Sequence, residues 1–151
     1  MLRRAIGWSL VELMVGLALL GILSTLAWPS YDGQIKRLRR SDAHVALARL
    51  QQAQEQHRSR SPAYADTLGS DGLGLPDLSD AGHYRLSIGL DPARAATAYT
   101  VQAMAIGRQA DDQPCQRMAI EVDRGQLRRR SGPSEHLDND SDGNRRCWGS
   151  W

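Results

Sequence analysis

The chain predicts an α+β architecture, with a long N-terminal helix packed on a three- to four-stranded antiparallel sheet. Three observations carry that prediction. An apolar run from Gly7 to Trp28 passes into an amphipathic stretch that ends near His57. Beyond residue 82, short segments alternate apolar with polar residues and are joined by brief polar links. Two cysteines, Cys115 and Cys147, enclose a C-terminal stretch rich in Asp, Asn, Gly and Arg.

The first element is the stem. Its segment GWSLVELMVGLALLGILSTLAW carries a single carboxylate, Glu12, and follows Arg3 and Arg4. A bilayer core needs about 20 such residues as a helix. An ionised carboxylate in hydrocarbon costs at least ~2–3 kcal/mol, so Glu12 calls for a cationic partner. A cut after Gly7 would create one, the α-amino group of Trp8, four residues before Glu12. Gly16, Ala18, Gly21 and Ala27 are small enough for neighbouring helices to approach closely. Pro29 lacks an amide hydrogen and predicts a kink or a loosened turn, with Gly33 a second soft point. From Ile35 to His57, Ala43, Leu47 and Leu50 follow i, i+4, i+7 and should lie against a head domain. A helix from Trp8 to His57 would span roughly 75 Å, and Ser61-Pro62 ends it.

Residues 61–82 form a Gly, Ser, Asp and Pro-rich connection. Strands follow at Tyr84, Leu86, Ile88 and Leu90, then at Tyr99, Val101, Ala103 and Ala105, then at Met118, Ile120 and Val122. Asp123-Arg124-Gly125 predicts a turn, and Gln126 to Arg130 a short fourth strand. Consecutive strands with short links favour antiparallel pairing. The stem face bearing Leu47 and Leu50 is the cover for the apolar face of that sheet. The head core is small, so it needs further support.

The N-terminus resembles the type IV prepilin signal: a short basic leader ending in Gly, an aromatic residue, a hydroxyl residue, and a Glu at the fifth position after the junction. Here these are residues 1–7, Trp8, Ser9 and Glu12, with Trp8 standing where the family usually has Phe. The resemblance implies cleavage after Gly7 by a prepilin peptidase, N-methylation of Trp8, and pairing of Glu12 with the amine of an adjacent subunit. Gly21 and Pro29 fall where pilin stems resemble one another, and the helix between them is expected to unwind in filaments. The division that follows is a leader at 1–7, a transmembrane and filament-core helix at 8–28, an amphipathic stem half at 29–60 and a globular head at 61–151. Residues 61–82 look like the αβ-loop of pilins.

An ordinary signal anchor or a secretory signal peptide is the alternative, but the first leaves Glu12 unexplained and Leu26-Ala27-Trp28-Pro29 is a poor cleavage site for the second. Lys36, Arg37, Arg39 and Arg40 outnumber the basic residues of the leader, and on that count alone the C-terminal part would be cytoplasmic. The prepilin motif and the cysteines place it outside. In an exported head, Cys115 and Cys147 read as one disulfide, two unpaired thiols being the alternative. A pilin disulfide near the C-terminus resembles this pair and encloses the D-region, a surface loop.

Formal net charge is +2 with 19 basic and 17 acidic side chains, and residues 61–151 hold 10 basic against 13 acidic ones. An acidic head argues against a whole-domain nucleic-acid binder, leaving local patches. Arg128, Arg129 and Arg130 with Arg145 and Arg146 are one such patch, either a DNA contact or a charge-protected edge strand. Asp138, Asp140 and Asp142 before Gly143 resemble the first half of a calcium loop, although its closing Glu is absent; a solvated loop held by side-chain turns is the alternative. His44, His57, His83 and His136 show no ligand spacing, and the chain contains no HExxH, G-x-S-x-G or P-loop, so an enzyme is not expected.

The layout looks most like a PilE-type minor pilin, implying a fimbrial subunit in pilus assembly, twitching motility and cell adhesion. Its expected partners are other pilin subunits, the peptidase and an inner-membrane assembly platform. The expected location is the inner membrane with a periplasmic head, then the extracellular pilus. A type II secretion pseudopilin and a DNA-binding pilin of an uptake system are the other readings.

Overall fold

A computed structural model describes residues 9–149, with the side chains of residues 25–30 left undescribed. The order is α1 (Leu10–Arg58), β1 (Tyr84–Gly89), β2 (Ala98–Ala105), β3 (Arg117–Asp123), β4 (Gln126–Gly132) and α2 (Ser141–Trp148). Short 3-10 turns occur at Pro92–Arg94, Gly107–Asp111 and Gln113–Cys115. The chain divides into two units, residues 1–35 and 36–151.

In the first unit α1 presents apolar side chains to the outside: Leu10, Val11, Leu13, Met14, Leu17, Leu20 and Leu23 are 55–74% exposed. Glu12 sits in the first turn of the helix, where the macrodipole favours an acid, and is exposed. Apart from the helix's own adjoining backbone, nothing lies within 4 Å of where a Cβ on Gly16 or Gly21 would stand, so both leave room for a close neighbour. Among the described residues no helix is long and apolar enough to cross a membrane. The expected span, 8–28, extends beyond them at Trp8 and in the side chains from Thr25 onward. The helical backbone is continuous through Gly21, Pro29 and Gly33. Unwinding was expected of filaments, and this is a single chain.

The second unit is a four-stranded antiparallel sheet in the order β1-β2-β3-β4. Its core face lies on α1. Ala43, Leu47 and Leu50 are 0–1% exposed and cluster with Tyr84, Val101, Ala103, Met118 and Ile120. The three alternating segments read from the sequence are the first three strands. β4 runs two residues past Arg130, and Leu90 falls just beyond β1. The alternation works because a strand side chain changes face at every residue, so β2 buries Tyr99, Val101, Ala103 and Ala105 in turn.

Polar groups of α1 fix the 61–82 connection. Gln54, fully buried, donates its amide N–H to the Ala65 carbonyl at 2.7 Å and accepts the Ala65 N–H at 2.9 Å, so it replaces a missing ladder bond. Asp42 accepts from Ser79 Oγ at 2.6 Å and from the backbone N–H of Ala81 and His83. The expected disulfide is present: Cys115 and Cys147 are bonded, with Cα atoms 5.5 Å apart and 32 positions of sequence separation. By loop closure, such a bond stabilises the fold by about 3–4 kcal/mol.

Candidate functional site

The C-terminal segment holds the largest departure from the sequence expectation. Asp138 to Gly143 is the approach to and first turn of a helix. Asp140 is the N-cap, its Oδ1 accepting the Gly143 N–H at 2.6 Å. Asp142 stands in the first turn and accepts from Arg145 Nη2 at 2.7 Å. Gly149, at φ 78°, closes the far end by donating its N–H to the Arg145 carbonyl. Asp140 and Asp142 are thus used by α2. Among the described residues, no three His, Cys, Asp or Glu side chains are placed to hold a metal ion.

Arg40 anchors α2 to α1. Its Nε and Nη2 donate to the two oxygens of Asp112 at 2.7 Å each, and its Nη1 donates to the Arg146 carbonyl at 2.7 Å. One planar fork therefore neutralises a nearly buried carboxylate and satisfies an orphan carbonyl of the last turn of α2. His44, one turn on, lies 3.0 Å from the Cys147 carbonyl through Nε2, which must carry the proton to donate. Its ring stacks on Trp148, centroids 5.1 Å apart and planes 7° from parallel. Burial holds the His44 pKa below its ordinary value; the bond to Cys147 opposes this, while Arg129 and Arg40 add to it. Trp148 donates Nε1–H to the Arg130 carbonyl at 3.1 Å, and Arg129 sits over the indole at 5.6 Å. Asn139 donates to the Pro114 carbonyl at 2.8 Å and to Ser131 Oγ at 2.9 Å, tying the approach of α2 to β4.

The five arginines read as one patch are divided by this arrangement. Arg128 and Arg130 stand opposite Glu121 and Ala119 and share their face, away from the core. Arg130 reaches Glu121 at 3.3 Å and the Leu137 carbonyl at 2.6 Å. Arg129, opposite Ile120, turns to the α1 side and meets Trp148. Arg145 pairs with Asp142, leaving Arg146 beside Trp148.

The result is a cleft of about 300 Å³ lined by Arg37, Arg40, His44, Arg146, Trp148 and Gly149. A larger hollow of about 380 Å³ opens at the β2–β3 end beside Asp91, Arg94, Glu121, Asp123, Arg124 and Arg128. Its acidic and basic side chains are equal in number, and Arg94 and Asp123 pair at 2.8 Å. The basic cleft is the more informative surface. It was not singled out in the sequence, although Arg37, Arg40 and His44, spaced three and four apart, mark one helix face.

A protein-family model described as type IV minor pilin ComP, DNA uptake sequence receptor, matches residues 29–119, more than half of the chain. The chain belongs to the type IV minor pilin ComP family. It is also similar to the type IV major pilin protein PilA of Myxococcus xanthus (strain DK1622), at 29% identity over 101 residues, 67% of this chain and 46% of that protein. The chain thus spans about half the length of the curated relative it matches. The minor-pilin class expected from the stem and C-terminal cysteine layout is met by this family, over a region that takes in the amphipathic stem half and much of the head. Of the candidate residues, Pro29 and Cys115 fall inside the matched region. Glu12, Gly21, Cys147, the three aspartates and the five arginines lie outside it. Gly7 and Trp8 lie outside the described residues as well.

Proposed function

We propose that this minor pilin is cut after Gly7 by a prepilin peptidase, methylated on Trp8, and held in the inner membrane with its head in the periplasm until it is extracted into a pilus. Its roles there are pilus assembly, twitching motility and adhesion. The observation that supports this is the uncovered apolar surface of α1 from Leu10 to Leu23, joined to a head of a pilin family. Each such Leu or Val gains about 1.5–3 kcal/mol on leaving water, a gain that the bilayer supplies before assembly and bundled stems of other subunits supply after it. Glu12 sets the register by pairing with a neighbour's α-amine. Glu12→Ala should leave the precursor inserted and cleavable while reducing its incorporation into sheared fibres, read by immunoblot. Incorporation at the wild-type level refutes that role. A bulky residue at Gly7 should trap the precursor.

A second reading is favoured by the family description, a receptor for a DNA uptake sequence. In it Arg128, Arg129, Arg130, Arg145 and Arg146 contact the phosphate backbone of DNA. Only Arg129 and Arg146 converge, around Trp148, and Arg130 and Arg145 are partly neutralised. Phosphate contacts give a steep loss of affinity with salt. A mobility shift at low salt that persists when all five are Ala removes this reading.

A further inference from the structure

Beyond α1, two large apolar side chains among the described residues stay exposed, Leu78 at 39% and Leu127 at 41%. They stand at opposite edges of the sheet, both within the 36–151 unit. Leu78 bridges to Arg85 on the outer side of β1, and Leu127 belongs to β4, the strand at the other edge. Their surroundings are opposite in charge. Leu78 sits between Asp77 and Asp80 in the 61–82 connection, which carries four aspartates and no lysine or arginine. Leu127 sits between Arg124 and Arg128 in the stretch 124–130, which carries four arginines and no acid. Asp80 is matched by Arg49 at 2.7 Å. Asp77 and Arg128 are exposed and enter none of the ion pairs among the described residues.

Shape and backbone agree with charge. A shallow apolar notch walled by Leu50, Leu75, Pro76, Leu78 and Leu86 opens on the acidic side. On the basic side the far end of β4 is closed, where the Asn139 N–H donates to the Ser131 carbonyl at 3.1 Å. Backbone groups of alternate residues point to the same side of a strand, so those of Arg129 and Leu127 also leave the edge, toward no strand of this chain. Pairing β4 with another β4 would set arginine against arginine, which is unfavourable. We propose that the β4 edge of one copy docks on the 77–80 edge of a second copy, Leu127 entering the notch beside Leu78 and Arg128 meeting Asp77. This rests on the fibre-subunit reading above and names the surfaces by which two heads meet. The contact joins unlike surfaces, so each copy keeps one edge free for the next, and such a contact propagates where a two-fold one would close.

The test leaves the contact residues intact and labels their neighbours. Cells overproduce two full-length variants together, Ala81→Cys and Gln126→Cys, each with its own epitope tag; both positions are exposed. Sheared fibres are treated with a short bismaleimide, to which the bonded and buried Cys115 and Cys147 do not react. Dimers carrying both tags should form at about tenfold the yield of dimers from either variant alone. Arg128→Glu on the Gln126→Cys chain should abolish them, and Asp77→Arg on the Ala81→Cys chain should restore them, a rescue that local damage to β4 would not show. Fibres that contain both variants without mixed-tag dimers overturn the contact and leave the fibre reading standing. Mixed dimers that survive Arg128→Glu, or that Asp77→Arg fails to restore, overturn it as well. Equal dimer yield from the Gln126→Cys chain alone assigns the β4 edge to a two-fold pairing and overturns it. A chain absent from sheared fibres refutes the fibre reading, and the contact falls with it.

Discussion

Arg40→Met is the sharpest perturbation of the contact that holds α2. The guanidinium makes two bonds to Asp112 and one to the Arg146 carbonyl, all at 2.7 Å, with side-chain exposures of 12% for Arg40 and 4% for Asp112. Removing it strands a carboxylate in the interior with the Gln109 amide, at 3.1 Å, as its remaining side-chain donor. Breaking one side of a buried pair costs about 3–5 kcal/mol. The Gln109 bond places this case at the lower end, about 3 kcal/mol. Arg40→Met/Asp112→Asn removes the stranded charge and leaves an acceptor for Gln109. Its cost falls to about 1–1.5 kcal/mol, the worth of the bond to Arg146 and of lost packing. Urea unfolding of the full chain in micelles, disulfide intact, followed by tryptophan fluorescence, reads both. A single variant costing under about 1 kcal/mol, or a double variant costing more than the single, contradicts the reasoning.

Three further outcomes follow from the same packing. The His44 pKa is lowered in the folded chain, so below the unfolded value near 6.5 the unfolded state binds more protons and stability falls with pH. That contribution is whole above about pH 6.5 and is lost as pH drops toward the folded pKa. Melting temperature should therefore decline from pH 7.5 to 5 more steeply in the wild type than in His44→Gln; equal slopes refute the role given to His44. Cys115→Ser/Cys147→Ser should lower stability by about 3–4 kcal/mol in the same urea assay, and an unchanged midpoint would mean that Arg40 and Trp148 hold α2 alone. Ser131 is fully buried and links Asn139 to Asn144. Ser131→Ala should cost about 1–3 kcal/mol by leaving those amides short of a partner, and a neutral effect sinks that account.

The head's sheet was legible because period-2 alternation in Tyr99–Ala105 maps directly onto one buried face, which Met118, Ile120 and Val122 extend although Ala119 on the other face is buried too. The face of α1 was legible for the same reason at the helical period, through Ala43, Leu47 and Leu50. The last element was not. Asp138 to Gly143 carries carboxylates at alternate positions, and that pattern serves a cation loop and a helix start equally well. What separates them lies further on. Asp142 in the first turn, Arg145 and Arg146 in the last, and Gly149 just beyond are the start and stop signals of a short helix. The cleft was hidden for another reason. Its walls come from Arg37 to His44 and from Arg146 to Gly149, about a hundred positions apart. They are joined by a guanidinium fork and by the contacts of one imidazole, which hydropathy does not encode. Gln54 and Gln109, both buried, were likewise invisible, since a polar residue shows its partner only in the folded chain.

On the proposed reading, this minor pilin is matured and built into a fibre through the stem that carries Glu12. The intact mass of the chain recovered from sheared pili tests it most directly. The account predicts a chain that begins at Trp8, bears one added methyl group and has no free thiol. A chain that still begins at Met1, or one missing from sheared pili while abundant in cells, contradicts it.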